Sequence, residues 1–281
     1  MKFEVTADLS YTVQMPSTLM LNIHALRTPN QTVLEESFTL DPYVKAEELT
    51  SSFGENRFIR IEVSEPTDIR ISYKATVDNC FRITDQQEKP AVPIAQLGPS
   101  VFPYLYPSRY CQSDKLYRFA YNKFGAISDP YEKVVALSDW IFENVEYLSG
   151  STNWQTSAYD TVTELAGVCR DFAHLGIALC RSLSIPARYF TGYAYQLNPP
   201  DFHACFEAYL GGEWILFDAT RLAPLNGLIK IATGRDAADT AVASIFGKVT
   251  TNAMTVGCTL LEENFQPFFN EAANMKGIAC L

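Results

Sequence analysis

Apolar residues alternate with polar ones from the start of the chain. Phe3, Val5 and Ala7, then Tyr11 and Val13, share one face of an extended backbone. The segments TLMLNIHAL, TVLEESFTL, RFIRIEVS and DIRISYKATV follow, separated by Pro, Asn, Gly and Asp turn residues. Several short strands at this spacing predict a β-sandwich or a similar barrel over residues 1–90. No catalytic grouping stands out there. His24 lies within a strand pattern and reads as a half-buried strand residue. Residues 91–108 hold Pro93, Pro99, Pro103 and Pro107. Proline fixes φ and removes a backbone donor, so this stretch reads as a semi-rigid linker.

Beyond the linker the period lengthens to that of a helix. In SDPYEKVVALSDWIFENVEYL, Asp129 is placed to cap, Pro130 to open the first turn and Glu132 to complete a capping box. Val134, Leu137, Ile141 and Val145 form the apolar stripe. TVTEL repeats the box spacing with Thr161 and Glu164. A further helix, holding Cys169, is predicted to run to about Leu183, with Pro186 limiting it. ARYFTGYAYQL, FHACFEAYL and EWILFDAT then read as strands, the last two joined by a Gly211-Gly212 hairpin turn. A final strand is expected around NAMTVGCTLL. The second unit is thus a few helices followed by an antiparallel sheet, and the fold class is α+β, not doubly wound. The expected organisation is a β-sandwich-like domain at 1–90, a linker at 91–108, an α+β domain at 109–263 and an unassigned tail at 264–281.

Composition narrows the function. With 281 residues, 47% of them hydrophobic, the chain has ample length for a large core. A net charge of -10 argues against binding to a phosphate backbone, which depends on Lys and Arg. The opening MKFEVTADLS has no apolar h-region, and no apolar run is long enough to span a bilayer. A soluble cytoplasmic protein is the expectation. The seven cysteines are odd in number, scattered and without a CxxC pair. Reduced thiols are therefore expected, rather than a disulfide framework or a thiolate zinc site.

One stretch carries candidate chemistry: GVCRDFAHLGIALC, residues 167–180. Cys180 sits among apolar residues as an inert buried thiol would. Cys169 follows a glycine and precedes Arg170 and Asp171, at the mouth of a helix. There, unpaired backbone N–H groups and the helix dipole favour a thiolate and can later receive an oxyanion. Position alone favours a structural thiol, the commoner role of a buried cysteine, and a nucleophile also needs a base. His174, five residues on, points away around the helix and reads as a packing or capping residue. His203 opens the strand before the Gly211-Gly212 turn, and Asp218 ends the strand after it. Counting outward from Leu210 opposite Glu213 puts His203 opposite Thr220, with Asp218 one diagonal step away on the same face. A carboxylate there can orient the imidazole and stabilise its charged form. A polar hairpin end facing water remains the other reading.

These residues resemble a known family. GVCRDFAHLGIALCRSLSIPARYFTGYA and DFHACFEAYLGGEWILFDAT are similar to the motifs of the bacterial transglutaminase-like superfamily, which shares the papain-like cysteine-peptidase fold. The likeness runs from about Tyr106 to Val256, and the preceding β unit resembles the N-terminal region of the same subfamily. The resemblance implies Cys169 as nucleophile, His203 as general base and Asp218 as the residue orienting it. It implies acyl transfer through a thioester on a peptide or protein substrate. Water as acceptor, giving a cysteine protease or amidase, is preferred over a cross-linking amine, because water needs no acceptor site. Animal members use calcium, but no EF-hand-like spacing occurs here, and neither metal nor organic cofactor is expected. A peptide-binding module without activity, or a metal site on Cys169 and His203 with Cys205 nearby in sequence, are the rival readings. The second oxyanion donor stays open between Trp154 and Gln155, and the GRDAAD segment at 234–239 and the oligomeric state stay unassigned.

Overall fold

The computed structural model describes residues 1–51, 56–87, 89–271 and 273–279. Two four-stranded antiparallel sheets form the sandwich. In the first, β15 (Val249–Leu260), β1 (Lys2–Val13), β6 (Thr67–Asn79) and β3 (Gln31–Asp41) lie in that order. In the second the order is β14 (Ala243–Phe246), β2 (Ser17–Leu21), β5 (Arg57–Val63), β4 (Lys45–Thr50). The period of two explains the packing. Phe3, Val5, Ala7, Leu9, Tyr11 and Val13 of β1 are all buried, and so are Ile69, Ile71, Tyr73, Ala75 and Val77 of β6. The two strands pair with Val5 opposite Ala75 and Leu9 opposite Ile71, so both apolar rows face one core.

The third sheet has six strands in the order β13 (Leu228–Gly234), β10 (Ala187–Ala194), β11 (Phe202–Leu210), β12 (Glu213–Phe217), β16 (Lys276–Ala279), β7 (Arg82–Asp85). Beside it lie α1 (Ser113–Phe124), α2 (Pro130–Asn144), α3 (Ala158–Glu164) and α4 (Cys169–Ser182), with α4 packed on β11 and against α1 and α3. The Asp129 carboxylate accepts the Glu132 N–H at 2.9 Å, capping α2 as its sequence predicts. The fold is α+β, a β domain followed by a helix-and-sheet domain.

The strands do not respect the order of the two units. β15, expected in the sheet of residues 109–263, pairs along its length with β1, from Phe3 opposite Leu260 to Val13 opposite Val249. β14 likewise pairs with β2. The tail beyond 263 supplies β16, between β12 and β7, and β7 itself comes from the first ninety residues. Alternation marks a segment as a strand but does not name its partner, which here is far away in sequence. Two local expectations also shift. The capping box of α3 is Ser157 with Asp160, and Thr161 lies inside the helix. His24 is outside the strands, buried between the Phe38 and Tyr73 rings with centroids at 5.1 and 4.3 Å. Burial, aided by Arg57, pushes its pKa down to about 4. Cys80, Cys111, Cys169, Cys180, Cys205 and Cys258 are free thiols, and Cys280 lies outside the described residues.

Candidate active site

Cys169 is the first residue of α4, and Val168 ahead of it is extended. The buried Asp171 carboxylate folds back to accept the Val168 N–H at 2.9 Å and the Thr152 hydroxyl at 3.1 Å. Gly167 permits this approach, since a Cβ there would lie 2.7 Å from the Asp171 Cβ. Deeper in the helix, a Cβ on Gly176 would meet the Phe206 ring at 2.6 Å, so glycine lets α4 close onto β11. This close crossing places Cys169, half-buried, over the strand whose second residue is His203.

The hairpin has the register that its two-glycine turn predicts. Leu210 faces Glu213 and Phe206 faces Phe217, with both glycines at positive φ. Asp218 follows the last paired residue, and its Oδ2 lies 2.8 Å from His203 Nε2. Its Oδ1 accepts the Thr220 N–H at 2.9 Å and the Thr220 hydroxyl at 2.7 Å. Burial alone would raise the Asp218 pKa, but His203 and Thr220 hold it below the ordinary value. Burial alone would lower the His203 pKa; Asp218 reverses the sign and holds it well above the ordinary value, with smaller help from the Cys205 and Cys169 sulfurs. Burial pushes Cys205 itself up to about 12, so it is a neutral thiol at physiological pH and the Asp218 charge carries the shift. With Nε2 on Asp218, the buried Nδ1 has no other hydrogen-bond partner.

The structure therefore brings His203 and Asp218 into contact and sets Cys169 beside them, lining one cleft with His203. Cys205 joins the group: a sulfur of Cys205, a ring nitrogen of His203 and an oxygen of Asp218 lie within 4.8 Å of one another. These are the atoms a soft cation could take among the described residues. All three residues are buried, and two already bond each other.

The cleft measures about 430 Å³ and is mostly apolar, with Tyr110, Trp154, Tyr189 and Phe202 around Cys169 and His203. Trp154 is 73% exposed at its rim, and Gln155 is exposed. One wall is residues 240–243, and the 234–239 segment anchors it. Asp236 is buried and accepts the Tyr110 N–H at 2.9 Å, and the Arg235 carbonyl accepts from Arg181 at 2.6 Å. His174 is fully buried between Tyr110 and Tyr189, both with ring centroids at 5.0 Å. Its Nε2 accepts the Ala237 N–H at 3.1 Å, and burial holds its pKa well below the ordinary value. A neutral ring is what such an acceptor requires, so His174 packs and braces the wall.

Residues 1–100 match the family described as bacterial transglutaminase, N-terminal domain, and residues 118–219 match the transglutaminase-like superfamily. The crystal structure of an inferred cysteine protease from Cytophaga hutchinsonii is 58% identical, with a TM-score of 0.97, covering 99% of this chain and 97% of that one. The chain belongs to the transglutaminase-like superfamily. Cys169, His203 and Asp218 all fall inside the 118–219 match. This transglutaminase-like chain is also 31% identical over 121 residues to an uncharacterized protein of Mycobacterium leprae, covering 40% of this chain. It is 38% identical over 64 residues to one of Mycobacterium tuberculosis, covering 23% of this chain. It spans 43% and 20% of the length of those two relatives.

Sequence reasoning did not single out Tyr110, and it noted Asp236 only within the 234–239 segment, without a role. Tyr110 and Asp236 are joined only by the fold, 126 positions apart.

Proposed function

We propose that the protein is a cysteine amidohydrolase or protease that opens peptide or protein amide bonds through a thioester on Cys169. The observation that carries this reading is the buried His203–Asp218 contact at 2.8 Å, which leaves His203 Nδ1 as the free nitrogen beside Cys169. In the first half-reaction the Cys169 sulfur attacks the carbonyl carbon. The C–S bond forms and the carbonyl π pair moves to oxygen. Collapse re-forms the C=O and breaks the C–N bond, and the leaving amine takes the proton from His203 Nδ1. In the second half-reaction water attacks the thioester, Nδ1 takes its proton, and the C–S bond breaks to release the acid and the thiolate. Asp218 holds the ring and favours the charged form in between. The apolar, aromatic cleft favours an extended peptide substrate with a bulky side chain near the scissile bond.

Iodoacetamide labelling tests the nucleophile without knowledge of the substrate. At neutral pH, Cys169 is expected to alkylate faster than the other thiols, as mapped by mass spectrometry. His203→Ala is expected to slow it by at least about tenfold, the lower range for loss of a proton-transfer partner. Equal rates across all thiols, or indifference to His203, would make the protein a binding module on this scaffold.

A further inference from the structure

Acyl transfer passes through a tetrahedral carbon bearing an oxyanion, and such charge is stabilised by donors fixed in advance around it. The Cys169 backbone N–H, at the first position of α4, is one donor free of the helix's own bonds. The local architecture brings a second beside it. β8 (Glu146–Tyr147) and β9 (Ala166–Gly167) form a two-residue parallel ladder with Tyr147 opposite Gly167. Flanking bonds extend it, from the Glu146 N–H to the Leu165 carbonyl at 2.8 Å and from the Leu148 N–H to the Gly167 carbonyl at 2.9 Å. Tyr147 is thereby held against the residue two places before Cys169. Its ring packs on Phe172, in the first turn of α4, with centroids 5.8 Å apart. Cys169 lies three residues before Phe172 in the same helix, so the Tyr147 ring is set against the turn of α4 that carries the sulfur. Burial, then the Cys169 sulfur, pushes the phenol up to about 12, so it keeps a proton to donate at neutral pH.

The other two donors in the region are less well held. Trp154 is 73% exposed against 46% for Tyr147, and the more a donor lies in water the more it must reorganise as charge develops. Gln155 is exposed, and its backbone N–H is taken by Asn153 Oδ1 at 2.7 Å.

We infer that the Tyr147 hydroxyl and the Cys169 backbone N–H together form the oxyanion hole of this site. The inference rests on the acyl-transfer reading above and makes Tyr147 a catalytic residue. As the C–S bond forms and the π pair moves to the carbonyl oxygen, that oxygen becomes the acceptor of the Tyr147 O–H. The proton stays on Tyr147, and the hydrogen bond is released when the C=O re-forms.

Two probes of opposite character test it on the full chain. p-Nitrophenyl acetate acylates a thiol through an oxyanion, releasing p-nitrophenolate that needs no acid; iodoacetamide alkylates through a displacement without one. Tyr147→Phe is expected to slow Cys169-dependent acylation about 10²-fold, the usual loss for one such donor, while the alkylation rate stays within about twofold. Trp154→Phe is expected to change neither rate by more than about threefold, since an exposed donor contributes little. A parallel fall in both rates for Tyr147→Phe would show that it only supports the Cys169 geometry. That result overturns the inference, as does an unchanged acylation rate or a selective loss in Trp154→Phe. If wild-type acylation does not depend on Cys169, tested with Cys169→Ala, the acyl-transfer reading itself fails, and the oxyanion assignment falls with it.

Discussion

At His203 two opposed effects set the charge of one ring. Burial favours the neutral form, and the Asp218 carboxylate favours the charged form and prevails. Asp218→Asn keeps a similar shape and removes the charge, leaving burial unopposed. The His203 pKa is then expected to fall, and the alkaline limb of Cys169 reactivity to move to lower pH. NMR titration of the imidazole reads this directly, and an unmoved midpoint would deny Asp218 its role. Stability follows the same sign. A folded-state pKa above the unfolded value of about 6.5 adds stability that is fully present below that pH and is lost as pH rises through the folded value. The Asn variant lacks that contribution. Cys169, His203 and Asp218 were legible because each sits at a position that local rules mark, a helix mouth or the open end of a tight hairpin. Tyr147 was not, because a parallel pairing of two residues leaves no periodic trace.

Among the elements, the β10–β11–β12 meander was legible from its apolar runs and its two-glycine turn, and α2 from its cap and stripe. The treatment of β13 was not. This strand ends the six-stranded sheet, and its outer edge is covered by side-chain amides from the N-terminal unit. Gln31 acts as a strand would: its Nε2 donates to the Lys230 carbonyl at 2.8 Å and its Oε1 accepts the Lys230 N–H at 2.7 Å. Asn56 does the same for Thr233 at 2.8 and 3.0 Å, and Asn79 donates to the Leu228 carbonyl at 2.8 Å. The Lys230 carbonyl also accepts the Leu26 N–H at 2.8 Å, and together these bonds cover an edge that would otherwise be open. No sequence pattern announces them, since Gln31, Asn56 and Asn79 look like ordinary turn and strand-end polars. Gln31→Ala leaves the Lys230 N–H buried without a partner, and is expected to lower stability by about 1–3 kcal/mol. The urea midpoint should fall with little change in slope, because the surface exposed on unfolding is nearly the same. An unchanged midpoint would mean that water replaces the amide without cost.

On the scale of the whole molecule, the two units complete each other. β14 and β15, which follow β13 in the chain, complete both sheets of the sandwich, while β7, from before the linker, sits on the edge of the six-stranded sheet. Tyr193, Ile229 and Ile231 share a core with Phe3, Ile71 and Val77 of the sandwich. The 240–243 wall of the cleft is the segment that carries the chain from one unit to the other. A division at residue 108 is therefore a division of the sequence but not of the cores. Cutting there removes the eleven-residue pairing of β1 with β15 and bares the outer edges of β1 and β2. The full chain is expected to unfold in one cooperative transition, with fluorescence and circular dichroism coinciding. A fragment of residues 1–108 is expected to lack a dispersed amide NMR spectrum, since its exposed edges and uncovered apolar face favour association over a packed core. Two resolved transitions, or a well-dispersed fragment, would show that the sandwich is a separate folding unit onto which β14 and β15 merely dock. In that case the cleft wall between them would be free to move without unfolding either core. If one transition is found, the same cooperativity that holds the sandwich together also holds the wall opposite Cys169 in place.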